Sequence, residues 1–377
     1  MDSSLQFRNG TFRILQLGDL HVPLHIDTRE RRKKLEDTHN LIKMGILALK
    51  PDLVVLIGDN VSMYDGSVCT DEEYRAGLER AIAPVLEAGL PFAFVLGNHE
   101  HDCGNEEQVL RVYDAMDACV VHNDPDAPAG GFNSHLLLKD SAGKEDIFNL
   151  WFLESNNRFA QPEISYYDTV HGDQISWYER TEKAIREAHG RQIPSVVFQH
   201  IPVIQEYRLL REATLAERPV AVQGHSKFAG KYYVPGDGME GTLGESPASP
   251  DFDGGQFDAW RKAGDVTAAF FGHDHMNGFT GTVDGILLAQ CRTAGFFVYT
   301  DGCRSAVRLI TLHENDLRHP ETKLYFFKEL GLISQSLGPI QKVITDRQSI
   351  NLHKYAPVAA AAVGAAVVGS LVRKHKK

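Results

Sequence analysis

The sequence predicts an α/β fold of two sheets packed face to face and flanked by helices. The first third alternates short apolar runs with helical periodicity, β-α-β-α-β, which implies parallel strands joined by helical crossovers. Past residue 130 the pattern changes to period-two runs separated by polar turns, which implies antiparallel pairs. Five apolar runs end in the same chemistry: Gly18-Asp19-Leu20-His21, Gly58-Asp59-Asn60, Gly97-Asn98-His99-Glu100, Gln199-His200 and Gly272-His273-Asp274-His275. The ends of strands in an open α/β sheet are where such proteins place their sites.

Each element has its own signal. Residues 12–17 read as the first strand, and 29–49 as an amphipathic helix with a solvated basic start at 29–34. Residues 53–57 form the second strand. Thr70-Asp71-Glu72-Glu73 is a capping box opening a helix to about residue 88. Residues 91–96 are the third strand, and 105–115 a further helix. Residues 135–139 and 147–153 pair across the polar turn 140–145, 174–188 is helical, and 195–199 is the next strand. The stretch 206–255, rich in Gly, Pro, Ser and acidic residues, reads as a lid-like loop insertion near the site. A short helix at 257–263 and a strand at 266–271 follow, and 285–288, 295–299 and 306–312 read as a closing antiparallel run.

The 377 residues suffice for one large domain, expected over 1–330, with a linker at 331–355. A net charge of −11 argues against a dominant nucleic-acid role, because neutralising phosphates takes clustered Lys and Arg. Five cysteines, Cys69, Cys103, Cys119, Cys291 and Cys303, include no CxxC pair, and the N-terminus has no apolar signal core. Both features favour a reducing, cytoplasmic setting. Residues 356–372 are uncharged, mostly Ala and Val, and precede the basic residues Arg373, Lys374, His375, Lys376 and Lys377. At 17 residues this stretch sits at the short limit for a bilayer span. The expectation is a membrane anchor at 356–377 on a cytoplasmic catalytic domain, the alternative an interfacial or disordered tail.

Taken singly, an Asp after a strand is usually a turn or cap residue, and a His at a strand end a hydrogen-bonded loop residue. Jointly, Asp19, His21, Asp59, Asn98, His200, His273 and His275 supply what two adjacent divalent cations need: a carboxylate to bridge and imidazole, carboxylate and amide donors outside it. Two metals about 4 Å apart can hold a phosphoryl group, generate hydroxide and stabilise in-line displacement. His99 adjoins a ligand and is placed to act as proton donor, with Glu100 or another carboxylate to orient it. His25, His101, His122, His171 and His225 lie outside the motifs, with His101 a candidate for the rim and His225 for a substrate contact. Arg292 and Tyr299 are candidates to reach a phosphate from the closing strands, and Cys103 is read as a bystander thiol.

The five motifs, in this order, resemble the calcineurin-like metallophosphoesterases over about residues 12–312, and within them the group called purple acid phosphatase 29-like. The resemblance implies a four-layer αββα sandwich with a dimetal centre at the strand ends. It implies that Asp19, His21 and His275 hold one metal, that Asn98, His200 and His273 hold the other, that Asp59 bridges, and that His99 is a general acid or transition-state stabiliser. True purple acid phosphatases carry a tyrosine ligand where Ser62 stands here, and lack a histidine at the place of His21. Mn, Fe or Zn are therefore the expected metals, without a tyrosinate–iron(III) band. The activity implied is a phosphomonoesterase using a dimetal-activated hydroxide on a phosphorylated substrate; the acidic balance leads us to expect no nucleic-acid partner, and the C-terminal tail is a candidate for membrane attachment. Competing readings are a phosphodiesterase on cyclic nucleotides or phospholipid head groups, and a non-catalytic scaffold.

Overall fold

The computed structural model describes residues 5–63, 68–103, 106–129, 131–300 and 303–343. Two sheets face each other. The five-stranded sheet runs in the order Asp316–Phe326, Ala306–His313, Thr11–Leu17, Leu53–Leu56, Phe92–Phe94. The last three are mutually parallel, as the opening alternation predicts. The seven-stranded sheet runs Glu240–Thr242, Gly278–Val283, Ile286–Gln290, Val266–Phe271, Ser195–Phe198, Asp146–Leu153, Asn133–Lys139.

Side-chain alternation builds the layers. In the seven-stranded sheet Val196, Phe198, Ala268 and Phe270 enter the core between the sheets. Val197, Ala269 and Phe271 enter a second core with Trp177 and Trp260, which lie on the helices Gly172–His189 and Gln256–Ala263. The helices Arg29–Leu49, Asp71–Ala81 and Glu106–Asp114 bury Leu41, Leu78 and Val109 in the core that contains the five-stranded sheet. The result is the four-layer αββα arrangement.

Most elements fall within a residue or two of expectation, including the Thr70–Glu73 capping box. The helix expected to run to 88 is two, Asp71–Ala81 and Ala83–Glu87, because Pro84 has no N–H to continue the first and fits the opening of the second. The closing antiparallel run is corrected. Ile286–Gln290 pairs parallel with Val266–Phe271 and antiparallel with Gly278–Val283. Residues 295–299 are not a strand. After Cys291 the chain crosses between the sheets, with Ala294 N–H donating to Gly18 O at 2.8 Å, and Ala306–His313 joins the other sheet beside Thr11–Leu17.

The 206–255 stretch is more ordered than a loop. It carries a small sheet of Leu210–Glu212, Tyr232–Pro235 and Val222–Gln223 around Leu210, Val222 and Tyr233, and Glu240–Thr242 extends the seven-stranded sheet. Of the expected linker, residues 331–343 are described. Ser334 Oγ and the Ser336 N–H donate to Asp37 on the first helix at 2.6 and 2.9 Å. Among the described residues no helix is long and apolar enough to cross a membrane. The stretch expected as an anchor, 356–377, lies outside the described residues.

Candidate metal centre

Three strands of one sheet and two of the other point the same ends at one place. Thr11–Leu17 delivers Asp19 and His21, Leu53–Leu56 delivers Asp59, and Phe92–Phe94 delivers Asn98 and His99. Ser195–Phe198 delivers His200, and Val266–Phe271 delivers His273 and His275. Two compact donor groups form, Asp19 with His21 and His275, and Asp59 with His200 and His273, each within 4.8 Å.

Asp59 stands between them. Its Oδ2 is 3.4 Å from His21 Nε2 and 3.3 Å from His200 Nε2. His200 Nε2 is 3.2 Å from Asn98 Oδ1, and His275 Nε2 is 3.7 Å from Asp19 Oδ1. His21 Nε2 and His275 Nε2 approach to 3.3 Å. All seven candidate ligands from the sequence therefore meet in one cluster, and all are buried.

The backbone is bent to make this meeting. Asp19, His21, Asp59 and His273 all have φ between 46 and 69°. L-residues occupy that left-handed region at a cost of about 1 kcal/mol or more each, and such strain gathers at functional sites. The two glycines of Gly58-Asp59 and Gly97-Asn98 allow the turns to touch. A Cβ on Gly97 would lie 2.3 Å from Asp59 Oδ1, and one on Gly58 would lie 2.6 Å from His200 Nδ1.

Hydrogen bonds then orient the donors. His200 Nδ1 donates to Ile57 O at 2.7 Å, which turns Nε2 towards Asp59. Asp59 Oδ1 accepts the His99 N–H at 2.8 Å, and Asp19 Oδ1 accepts the His273 N–H at 3.1 Å. Glu100 is a buried clamp whose carboxylate accepts the N–H groups of Gly97, Asp59 and Asn60 at 2.8, 2.7 and 2.8 Å. It does not orient His99, as one of the sequence expectations had it. That place is taken by Asp102, whose Oδ2 is 2.5 Å from His99 Nδ1. The 3₁₀ turn Glu100–Cys103 brings positions three apart together, so the signal was an acid three residues after the histidine.

The donors fit divalent cations. Asp19 Oδ2 and His273 Nε2 are buried with no hydrogen-bond partner, a costly state unless a further group binds them. Burial pushes the His21 ring down to about 4 and holds His273 and His275 well below the usual imidazole range, so all three are neutral donors. Burial also acts to lower His200, but the adjoining Asp59 carboxylate outweighs it and lifts the ring to about 10. A cation taking His200 Nε2 must expel that proton. Ser62, where a tyrosine ligand would stand, donates its hydroxyl to His21 O at 3.0 Å.

Above the cluster lies a cavity of ≈ 950 Å³. Asp59, Asn98, His99, His273 and His275 form its floor, and its wall comes largely from residues 219–225 and 242–248 of the insertion. His225 and Tyr299 line it, as the sequence suggested, with Tyr299 donating to Glu245 at 2.9 Å. Arg292 does not reach it. Its guanidinium donates to the carbonyls of Arg304 and Met276 and is structural. His101 lies 2.9 Å from Glu106, away from the lining. His25, His122 and His171 stay outside the cavity. Sequence reasoning missed Asp102, Arg158 and Tyr167, which sit on no strand end.

Comparison with known proteins bears on this geometry. The model of the calcineurin-like phosphoesterase family matches residues 12–277. From Arabidopsis thaliana, probable inactive purple acid phosphatase 14 is 28% identical over 317 residues, 77% of this chain and 72% of that protein. Probable inactive purple acid phosphatase 29 of the same plant is 27% identical over 335 residues, 82% and 79%. Among solved structures, a dimetal phosphatase from Danio rerio aligns over 83% of this chain and 99% of its own, at 14% identity and a TM-score of 0.49. The matched span contains all five motifs and more than half of the chain, so this chain belongs to the calcineurin-like phosphoesterase family.

Proposed function

We propose that the chain is a metal-dependent phosphomonoesterase. One observation carries this reading: the Asp59 carboxylate lies between two ligand imidazoles, at 3.4 and 3.3 Å, on the floor of a cavity that also holds His99. Asp19, His21 and His275 would hold one divalent cation, and Asn98, His200 and His273 the other, with Asp59 shared. Bound there, two cations supply Lewis-acid charge and a nucleophilic oxygen at neutral pH. The chain supplies the remainder. Asp102 orients the His99 ring through Nδ1, which leaves Nε2 to pass a proton to the leaving alkoxide. The buried turns fix the donors before substrate arrives, so little reorganisation remains for the reaction.

The two Arabidopsis relatives carry the word inactive in their names. Here the donor set is complete and pre-oriented, which supports catalysis over a scaffold role. The test is elemental analysis of the purified full chain beside hydrolysis of p-nitrophenyl phosphate and bis(p-nitrophenyl) phosphate, with Mn, Zn or Fe supplied in turn. About two metals per chain with turnover of the monoester is the expected result. Preference for the diester would replace the reading with a phosphodiesterase, and absence of both metal and turnover would leave the scaffold.

A further inference from the structure

The cavity has a second feature that the metal chemistry does not use. Arg158 lines it, as do the metal-site residues His273 and His275. Its guanidinium carbon is 4.0 Å from the ring centre of Tyr166 and 5.3 Å from that of Tyr167. The backbone holds this arrangement. Arg158 and Tyr167 form an antiparallel bridge, and the Asp168 N–H donates to Asn157 O at 3.0 Å. Tyr167 in turn sets its ring edge-on to His273, 4.5 Å between centroids, so two ring contacts connect Arg158 to a candidate metal ligand. His225 stands against both tyrosines at 5.5 and 5.7 Å and lines the same cavity.

Among the described residues Arg158 has no carboxylate partner and no hydrogen bond. The chain carries 50 acidic residues against 39 basic ones, and Arg158 is one of the two arginines in the cavity lining. The exposed Arg31, Arg111, Arg208 and Arg211 are each matched with an Asp or Glu. The neighbouring Asp251 is already engaged by the N–H groups of Tyr166 and Lys227 and by the Ser226 hydroxyl. Arg304, the other arginine in the lining, is taken up by the Thr242 hydroxyl at 2.6 Å. Stacking on two rings fixes a guanidinium by its faces and leaves its planar edge of N–H donors, the edge that matches an oxyanion, for a ligand.

We propose that Arg158 receives a second anionic group of the substrate, and that the preferred substrate is a phosphomonoester whose alcohol portion also carries a phosphate or a carboxylate. The cavity is at the upper end of the size that takes a whole small-molecule ligand rather than a phosphate alone. The inference rests on the phosphomonoesterase reading, and its test separates the two. Hydrolysis is measured on alkyl phosphates ending in methyl, carboxylate or phosphate over a series of spacer lengths. In parallel, calorimetry follows binding of the corresponding non-hydrolysable alkylphosphonates, phosphonocarboxylates and diphosphonates to the metal-loaded full chain.

At the favoured spacer, the charged tail should improve kcat/KM and Kd about tenfold over the methyl tail, through KM rather than kcat. Arg158→Gln should bring that ratio close to one, and Arg158→Lys should keep part of it. A phosphate tail outranking carboxylate identifies a bisphosphate, and the reverse a phosphorylated acid. A wild-type ratio near one, or a ratio unchanged in Arg158→Gln, overturns the inference while turnover of the methyl ester leaves the phosphomonoesterase standing. A charged-tail binding preference lost in Arg158→Gln, without any turnover, supports the subsite and sinks the phosphomonoesterase.

Discussion

The floor of the cavity is made of strand ends from both sheets, and its wall of the 206–255 insertion and the 156–169 loop. The candidate ligands at these strand ends are buried and tied to backbone N–H groups of neighbouring turns, and four of them, Asp19, His21, Asp59 and His273, keep left-handed dihedrals that only a rigid surround can maintain. In the insertion the wall is built from strands of two to four residues, and its side chains include exposed ones such as Val220. The candidate metal ligands and the cavity wall thus sit on different kinds of structure, turns at strand ends and short strands of the insertion. Each donor is fixed by the turn beside it, and the wall touches the donors where the Tyr167 ring meets His273.

The sharpest test of the floor is Asp59→Ala. It removes the shared carboxylate and leaves His21 and His200 facing a gap. Metal content should fall from about two to below one per chain, and turnover by at least about 10³-fold. Elemental analysis beside steady-state kinetics reads both. Two tightly held metals in this variant would show that the centre does not depend on a bridge.

His99→Ala comes next. The His99 N–H to Asp59 survives the substitution, so metal content should hold while kcat falls about 10²–10⁴-fold. Asp102→Asn should give a smaller fall in kcat, again with metal content held. Equal loss of metal in either variant would move His99 from proton donor to scaffold of the centre. Glu100→Gln should act on affinity. One amide oxygen cannot serve three backbone N–H groups, and the loss should weaken metal binding about 10–100-fold. Competition with a chelator measures it, and an unchanged affinity would mean the turns hold without their clamp.

The contrast between floor and wall also explains what the sequence makes legible. An apolar run ending in Gly-Asp, Gly-Asn-His, Gln-His or Gly-His-x-His is a local pattern, and five such runs point to one place because parallel strands aim their ends alike. Asp102 is three residues from His99, but only the 3₁₀ turn makes the spacing meaningful. Arg158 and Tyr167 come together across a loop with no periodicity to read. The missed strand Asp316–Phe326 is charged and contains Pro320, features that suit only the edge position it occupies. In the insertion, Tyr232, Tyr233 and Val234 were a strand signal outweighed by the surrounding Gly, Pro and Ser.

The smallest effect is expected where wall meets floor. Gln290 Nε2 donates to Glu206 Oε2 at 2.9 Å and to Asp274 Oδ2 at 3.3 Å, which ties the root of the insertion to the loop bearing His273 and His275. Glu206 is buried, its Oε1 has no hydrogen-bond partner, and burial pushes its carboxyl up to about 8. A folded-state value above the unfolded one means that the neutral acid is what the fold accommodates. Its contribution is complete below about pH 4 and is lost as pH rises through about 8. Glu206→Gln keeps the shape and an acceptor for Gln290 but cannot ionise. The variant should melt close to wild type near pH 4 and increasingly above it as pH rises to about 8, by a few degrees from there on, as differential scanning calorimetry of the metal-free chain would read. An equal shift at every pH would mean that packing, not ionisation, sets the difference. A gain that grows between about pH 4 and 8 would place a protonated carboxyl at the joint between the candidate metal centre and the cavity wall.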